Sequence, residues 1–286
     1  MFRLSGAAGY LVKRTSNSPQ TTKSTCLIRY AVHISPVNMP AFRILIFSGT
    51  ADYRHISIPA GIRALKKLAE DSASSPLPRF TADASEDAEI FNPSSLSAYK
   101  VIVLLQCSGE FLNPNQLDAL KTFVRSGGGV VAVHCASFAM KSSKWYGQLI
   151  GGVFDNHPEP QLGEVRLVDG EHPIMLARLP GIGASESQTS ATKHQIQGSG
   201  RVWFDEWYNF EKHPREASKG IRVLLSVDEQ SYAGGQLGVD HPIAWCQIFD
   251  GGRCFYTSLG HFDQAYEDEW FLGQLYGGIL WAAGLA

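Results

Sequence analysis

Two runs of the chain, Val101-Ile102-Val103-Leu104-Leu105 and Val130-Val131-Ala132-Val133, are apolar at every position. Side chains of a strand alternate between its faces, so a strand with no polar residue needs cover on both sides, as in a parallel sheet. A helix is predicted between the two runs: Asn113-Pro114 opens it, Leu117, Leu120 and Val124 form its apolar stripe, and Gly127-Gly128-Gly129 ends it. Upstream, Phe42–Phe47 reads as a strand that stops at Ser48-Gly49. A helix with Ile58, Ile62, Leu65 and Leu68 at i, i+3/i+4 spacing follows it. Strands separated by helices imply right-handed crossovers and a doubly wound, mostly parallel sheet, an α/β fold of three layers, αβα.

After Pro158 the rhythm changes. Short strands are predicted at Val165–Val168, Val202–Phe204, Val223–Leu225, Ile243–Trp245 and Phe255–Thr257, with few helices between them. They are expected to extend the same sheet in the C-terminal half as mixed or antiparallel strands, with Val202, Trp203 and Trp281 in the core. An amphipathic helix from about Glu269, carrying Phe271, Leu275, Ile279 and Leu280, closes the chain. Residues 183–200 are rich in Ser, Thr, Gly and Gln and read as a flexible surface insertion. Residues 1–40 hold Arg3, Lys13, Arg14, Lys23 and Arg29 but no acidic residue. That pattern fits a disordered leader, a mitochondrial presequence, or translation from Met39; each leaves 41–286 as a single domain.

A formal net charge of -2 supplies neither a basic field for nucleic acid nor a polybasic patch for anionic lipid. No apolar run approaches the roughly 20 residues of a membrane-spanning helix. Neither nucleic acid nor a membrane is therefore expected as a partner, and a homo-oligomer is compatible with the composition. Five cysteines without a C-x-x-C pair read as reduced thiols, which points to the cytoplasm, with mitochondrial import as the alternative.

In open α/β sheets, ligands bind beyond the carboxyl ends of the strands. Ser48–His55, Gln106–Glu110 and His134–Ser137 fall on that edge. The last segment, Val133-His134-Cys135-Ala136-Ser137, resembles the G-x-C-x-G nucleophile elbow of class I glutamine amidotransferases, with Val133 and Ser137 in place of the glycines. Cys135 is thus a candidate nucleophile, although a small thiol in a tight turn is the favoured reading. His157-Pro158-Glu159 spells that family's H-P-E but lies much too early in the chain. The first strand is not followed by G-x-G-x-x-G, which argues against a nicotinamide-dependent dehydrogenase.

A wider resemblance is carried by an ordered set of blocks: Tyr53-Arg54-His55-x-Ser57-Ile58, Gly127-Gly128-Gly129-Val130-Val131-x-Val133-His134, Leu149-Ile150-Gly151-Gly152-x-Phe154 with His157-Pro158, His172-Pro173, Asp205-Glu206-x-Tyr208, Asp240-His241-Pro242-x-Ala244-Trp245, Gly252-Arg253-x-Phe255-Tyr256-Thr257-x-Leu259-Gly260-His261 and Trp281-Ala282-x-Gly284. From Phe42 to the C-terminus the chain resembles the ThuA-like (trehalose-utilization) family, within the class I glutamine amidotransferase-like, flavodoxin-like folds. The resemblance implies a sugar or keto-sugar derivative as ligand, handled by isomerase, epimerase or hydrolase-type chemistry in carbohydrate catabolism. A Cys135-dependent amidohydrolase or amidotransferase, and a non-catalytic sugar-binding or regulatory module, are the alternatives. Candidate catalytic residues are His134, Glu206, His261 and Cys135; candidate ligand-binding residues are His55, His157, Tyr208, His241 and Trp245. Imidazole and carboxylate together suit proton transfer or a divalent metal such as zinc. There is no H-E-x-x-H spacing, so a metal site would have to be assembled from distant segments.

Overall fold

The apolar runs become the middle of a nine-stranded sheet. The computed structural model describes residues 41–74, 78–180 and 201–286; the 1–40 leader and the 183–200 insertion lie outside the described residues. Strands β1 (Phe42–Phe47), β2 (Phe80–Ser85), β3 (Val101–Leu105) and β4 (Gly129–Val133) are parallel. Helices Ile58–Ala73 and Pro114–Arg125 make the first and last of the crossovers between them. The second helix begins as expected: the Asn113 side chain accepts from the Gln116 N–H, and the Gln116 side chain accepts from the Asn113 N–H.

The remaining strands are β5 (Phe154–Asn156), β6 (Gln161–Leu167), β7 (Arg201–Asp205), β8 (Asn209–Phe210), β9 (Arg222–Asp228), β10 (Pro242–Phe249) and β11 (Gly252–Thr257). The large sheet has the order β2-β1-β3-β4-β11-β10-β9-β6-β7, while β5 and β8 pair separately. The last strand in sequence, β11, thus lies parallel against β4, and β10, β9, β6 and β7 continue outward with alternating direction.

Alternation along the central strands divides their side chains between two cores. Ile44, Ile46, Val101, Val103, Leu105, Val131 and Val133 pack with the helices Ile58–Ala73 and Glu269–Ala282. Leu45, Phe47, Ile102, Leu104, Val130 and Ala132 pack with Pro114–Arg125 and Lys144–Ile150 on the other side. Each such fully buried aliphatic side chain contributes about 1.5–3 kcal/mol.

Two expectations change, and one strand goes unread in the sequence. Strand β2 escapes a reading by hydrophobicity because it is an edge strand in which only Phe80 is buried. Val202 is 64% exposed, on the outer face of edge strand β7, whereas its neighbour Trp203 points inward. The closing helix Glu269–Ala282 is not amphipathic: Phe271, Gln274, Leu275, Tyr276, Gly277, Gly278, Ile279 and Leu280 are all buried. It lies under the sheet and against the short helix Pro173–Leu176, whose His172 side chain caps it by accepting from the Ile174 N–H.

That close approach requires Gly277, where an added Cβ would stand 2.2 Å from the carbonyl oxygen of Ile174. Helix propensity alone favours Ala over Gly by about 1 kcal/mol. Overpacking against backbone costs about 1–3 kcal/mol, so Gly277→Ala is expected to destabilise in urea titration. A stabilised variant would show that the two helices can separate freely.

Candidate functional site

The direction of β7 decides which residues can meet. From β11 to β7 the sheet makes four antiparallel steps, through β10, β9 and β6. An even number of reversals restores the direction, so β7 ends on the same edge as β1, β3, β4 and β11. Asp205, at that end, is buried and draws the edge together. Its carboxylate accepts from the backbone N–H of Gly260 (2.9 Å), His261 (3.2 Å) and Glu206 (3.0 Å), and from the Trp203 indole (3.0 Å). Four donors replace the water a buried carboxylate loses. From the segments after β3 and β1, the Gln106 amide donates to the Gly260 carbonyl at 2.6 Å and Ser57 Oγ donates to the His261 carbonyl at 2.6 Å.

These anchors place His261 beside His134 and Glu206. His134 Nε2 lies 3.2 Å from His261 Nδ1 and 3.3 Å from Glu206 Oε2, and His261 Nδ1 lies 3.1 Å from that same oxygen. His55 completes the group, with its ring 4.7 Å from that of His134 and 4.9 Å from that of His261. Among the described residues, His55, His134, Glu206 and His261 form a group able to hold a metal ion, each offering a ligand atom within 4.8 Å of the others.

His134, rather than Cys135, sits in the strained elbow: its φ is +55°, and Gln106, at the end of β3, has φ +52°. Such left-handed geometry costs a non-glycine residue about 1–3 kcal/mol, and surrounding bonds hold it here. His134 Nδ1 donates to the Ser258 carbonyl at 2.6 Å, which fixes the tautomer and turns the Nε2 lone pair into the cluster. The Tyr208 hydroxyl donates to that nitrogen at 2.9 Å, and Tyr256 donates to the His134 carbonyl at 3.1 Å.

Burial, reinforced by the neighbouring His134 and His261, lowers the His55 imidazole to about 2, so it is neutral under ordinary conditions. Burial alone would raise the Glu206 carboxyl. The hydrogen bonds and charges of His134 and His261 outweigh that effect and hold it well below the usual carboxylate range. Burial raises the Tyr208 hydroxyl well above its usual value and keeps it a donor.

The other candidates separate by position. His157 lies at the rim, its Nδ1 on the Pro158 carbonyl at 2.8 Å and its Nε2 3.5 Å from Glu206 Oε1. Cys135 is buried behind His55, with its sulfur 3.3 Å from His55 Nδ1, and burial together with nearby Glu206 raises its thiol far above its usual value. A nucleophilic cysteine needs the reverse, a lowered pKa and access. His241 stands one layer back, bonded by Nδ1 to Glu229 at 2.7 Å and by Nε2 to the Tyr208 carbonyl at 2.9 Å. It supports the site without facing it. Trp245 lies within the core packed with Lys144–Ile150, where it donates to the Ile150 carbonyl at 2.8 Å and packs on Tyr256.

Sequence reasoning missed the anchors Asp205, Gln106 and Ser57; their one sequence signal is membership of the blocks around Glu206, His55 and the second strand's end. It also missed Tyr53, which is 58% exposed and edge-on to His55 at 4.7 Å.

Fold and site together define an α/β domain with a histidine–carboxylate cluster at the carboxyl edge of its parallel strands. The chain belongs to the ThuA family, described as trehalose utilisation, whose model matches residues 43–282. No curated protein sequence matches it. A ThuA-like protein from Bacteroides uniformis is similar in structure with a TM-score of 0.63 at 24% identity, covering 86% of this chain and 92% of that one. A ThuA-like protein from Parabacteroides merdae gives 0.62 at 19% identity, covering 85% and 90%. At these identities the likeness concerns the fold. Among the described residues no helix is long and apolar enough to cross a membrane.

Proposed function

We propose that the chain acts on a sugar or keto-sugar derivative by acid/base or metal-assisted chemistry at the His55–His134–Glu206–His261 cluster. The observation that carries this reading is the convergence of Glu206 with His134 and His261 at 3.1–3.3 Å on the ligand-binding edge of the sheet. An ionised carboxylate beside imidazoles suits removal and return of a proton at a hydroxyl or beside a carbonyl. Glu206 fills the role of base, and His157, on the second carboxylate oxygen, connects that proton to solvent. The exposed ring of Tyr53 offers an aromatic wall for the C–H face of a sugar, a role the buried Trp245 is not placed to fill. The family description supports a carbohydrate ligand.

The test is incubation of the protein with a panel of keto-sugars and keto-disaccharides in deuterated water, followed by proton NMR. Enzyme-dependent loss of signal beside the carbonyl, or conversion to an isomer or hydrolysis product, is expected. Binding without exchange or turnover would make the chain a sugar-binding module instead. Absence of both across the panel would remove the carbohydrate reading.

A further inference from the structure

We infer that the cluster is a divalent-metal site, with His134 through Nε2, His261 through Nδ1, Glu206 through Oε2 and His55 through Nε2 as ligands, and with buried Cys135 as the positioning residue for His55. This deepens the functional reading above and rests on the same residues. A tetrahedral ion with bonds of about 2.0–2.1 Å holds its ligand atoms roughly 3.3 Å apart. The three edges among His134 Nε2, His261 Nδ1 and Glu206 Oε2 measure 3.2, 3.3 and 3.1 Å. The fourth ligand atom, from His55, lies within 4.8 Å of the other three.

The surroundings have the form of a metal site as well. Ligating imidazoles usually donate their other ring N–H to a fixed acceptor. His134 Nδ1 meets the Ser258 carbonyl at 2.6 Å, which leaves Nε2 for the ion. His55 Nδ1 meets the Cys135 sulfur at 3.3 Å; with Nδ1–H donating there, Nε2 is the atom left to ligate. The same contact explains why a buried thiol sits directly behind a cluster it does not join. Asp205 holds the backbone N–H groups of both Glu206 and His261, so a single carboxylate sets the positions of two ligands. The Tyr208 hydroxyl now donates to His134 Nε2, and an incoming ion exchanges that hydrogen bond for a coordinate bond. Nitrogen and oxygen donors in this ratio suit zinc, and also Mn(II), Fe(II) and Co(II).

The experiment uses the full chain stripped with chelator and titrated separately with Zn(II) and Co(II), with no sugar present. One equivalent of each is expected to bind. The Co(II) form should show visible d–d bands without a thiolate-to-cobalt charge-transfer band in the near ultraviolet. His261→Ala, a change on a partly exposed loop residue, is expected to weaken binding by about 100-fold or more. Cys135→Ala should weaken it by about 10–100-fold, as outer partners of metal ligands do. Cys135→Ser, whose hydroxyl still accepts from Nδ1, should recover much of that loss, and both variants should keep the Co(II) spectrum. Absence of stoichiometric binding would overturn the metal site, and so would binding indifferent to His261. A charge-transfer band, or Cys135→Ala affinity equal to wild type, would overturn the positioning role. The titration needs no sugar. Stoichiometric binding by a chain that turns over no sugar leaves the metal site standing, and sugar turnover by a chain that binds no metal leaves the functional proposal standing, so the two failures are distinguishable.

Discussion

Glu206→Gln is expected to lower kcat/KM by about 10²–10⁴-fold on the accepted substrate, the usual contribution of a general acid or base. Glutamine keeps the volume of the side chain and most of its contacts, so steric collapse is not the cause. What disappears is a charge. The carboxylate is buried, 7% exposed, between His134 and His261, and both hold it ionised. An amide in its place neither accepts a proton from substrate nor supplies the anionic ligand a divalent ion requires. The native surroundings hold this carboxyl below its usual range, so its charge contributes to stability and its loss carries a cost. Thermal unfolding is therefore expected at a somewhat lower Tm, with the chain still folded while turnover collapses. An active Glu206→Gln enzyme would move the chemistry elsewhere, and an unfolded one would make Glu206 a structural residue.

Trp245→Ala is expected to cost about 3–5 kcal/mol of stability, the range for deleting a large buried aromatic. The indole is fully buried, packs at a tilt on Tyr256 at 4.6 Å and edge-on against Phe210 at 5.3 Å, and donates to the Ile150 carbonyl. Gly151 and Gly152 press their backbone against it, so added Cβ atoms would stand 2.7 and 3.1 Å from the ring. Truncation leaves both a cavity and an unpaired carbonyl. Domains are stable by only about 5–15 kcal/mol, so the loss should be plain in the urea midpoint. Trp245→Phe, which keeps a ring but loses the hydrogen bond, should fall between. Ligand affinity per folded molecule should stay near wild type. A variant that folds normally but no longer binds would return Trp245 to the site.

The sequence by itself determined the parts of this protein that are local or repetitive. Five- and four-residue runs with no polar face demand a covered parallel sheet, and Asn113 with Gln116 starts its helix whatever the tertiary context. A loop following such a strand must lie at its carboxyl edge, which is why His55 and His134 could be placed there from sequence. Tertiary structure decided the rest because it depends on registers and directions set far away in the chain. Glu206 reaches His134 because four antiparallel reversals return β7 to the direction of β11 and Asp205 binds the two strand ends together. Trp245 and His241 lie in one sequence block, yet β10 turns Trp245 into the core packed with Lys144–Ile150 and His241 backs Tyr208 instead of facing ligand. At the elbow, a one-residue difference in where the backbone turns left-handed put His134 in the cluster and Cys135 behind it. A one-residue shift changes the direction of a side chain but not the hydrophobic pattern, so only the folded chain resolves it.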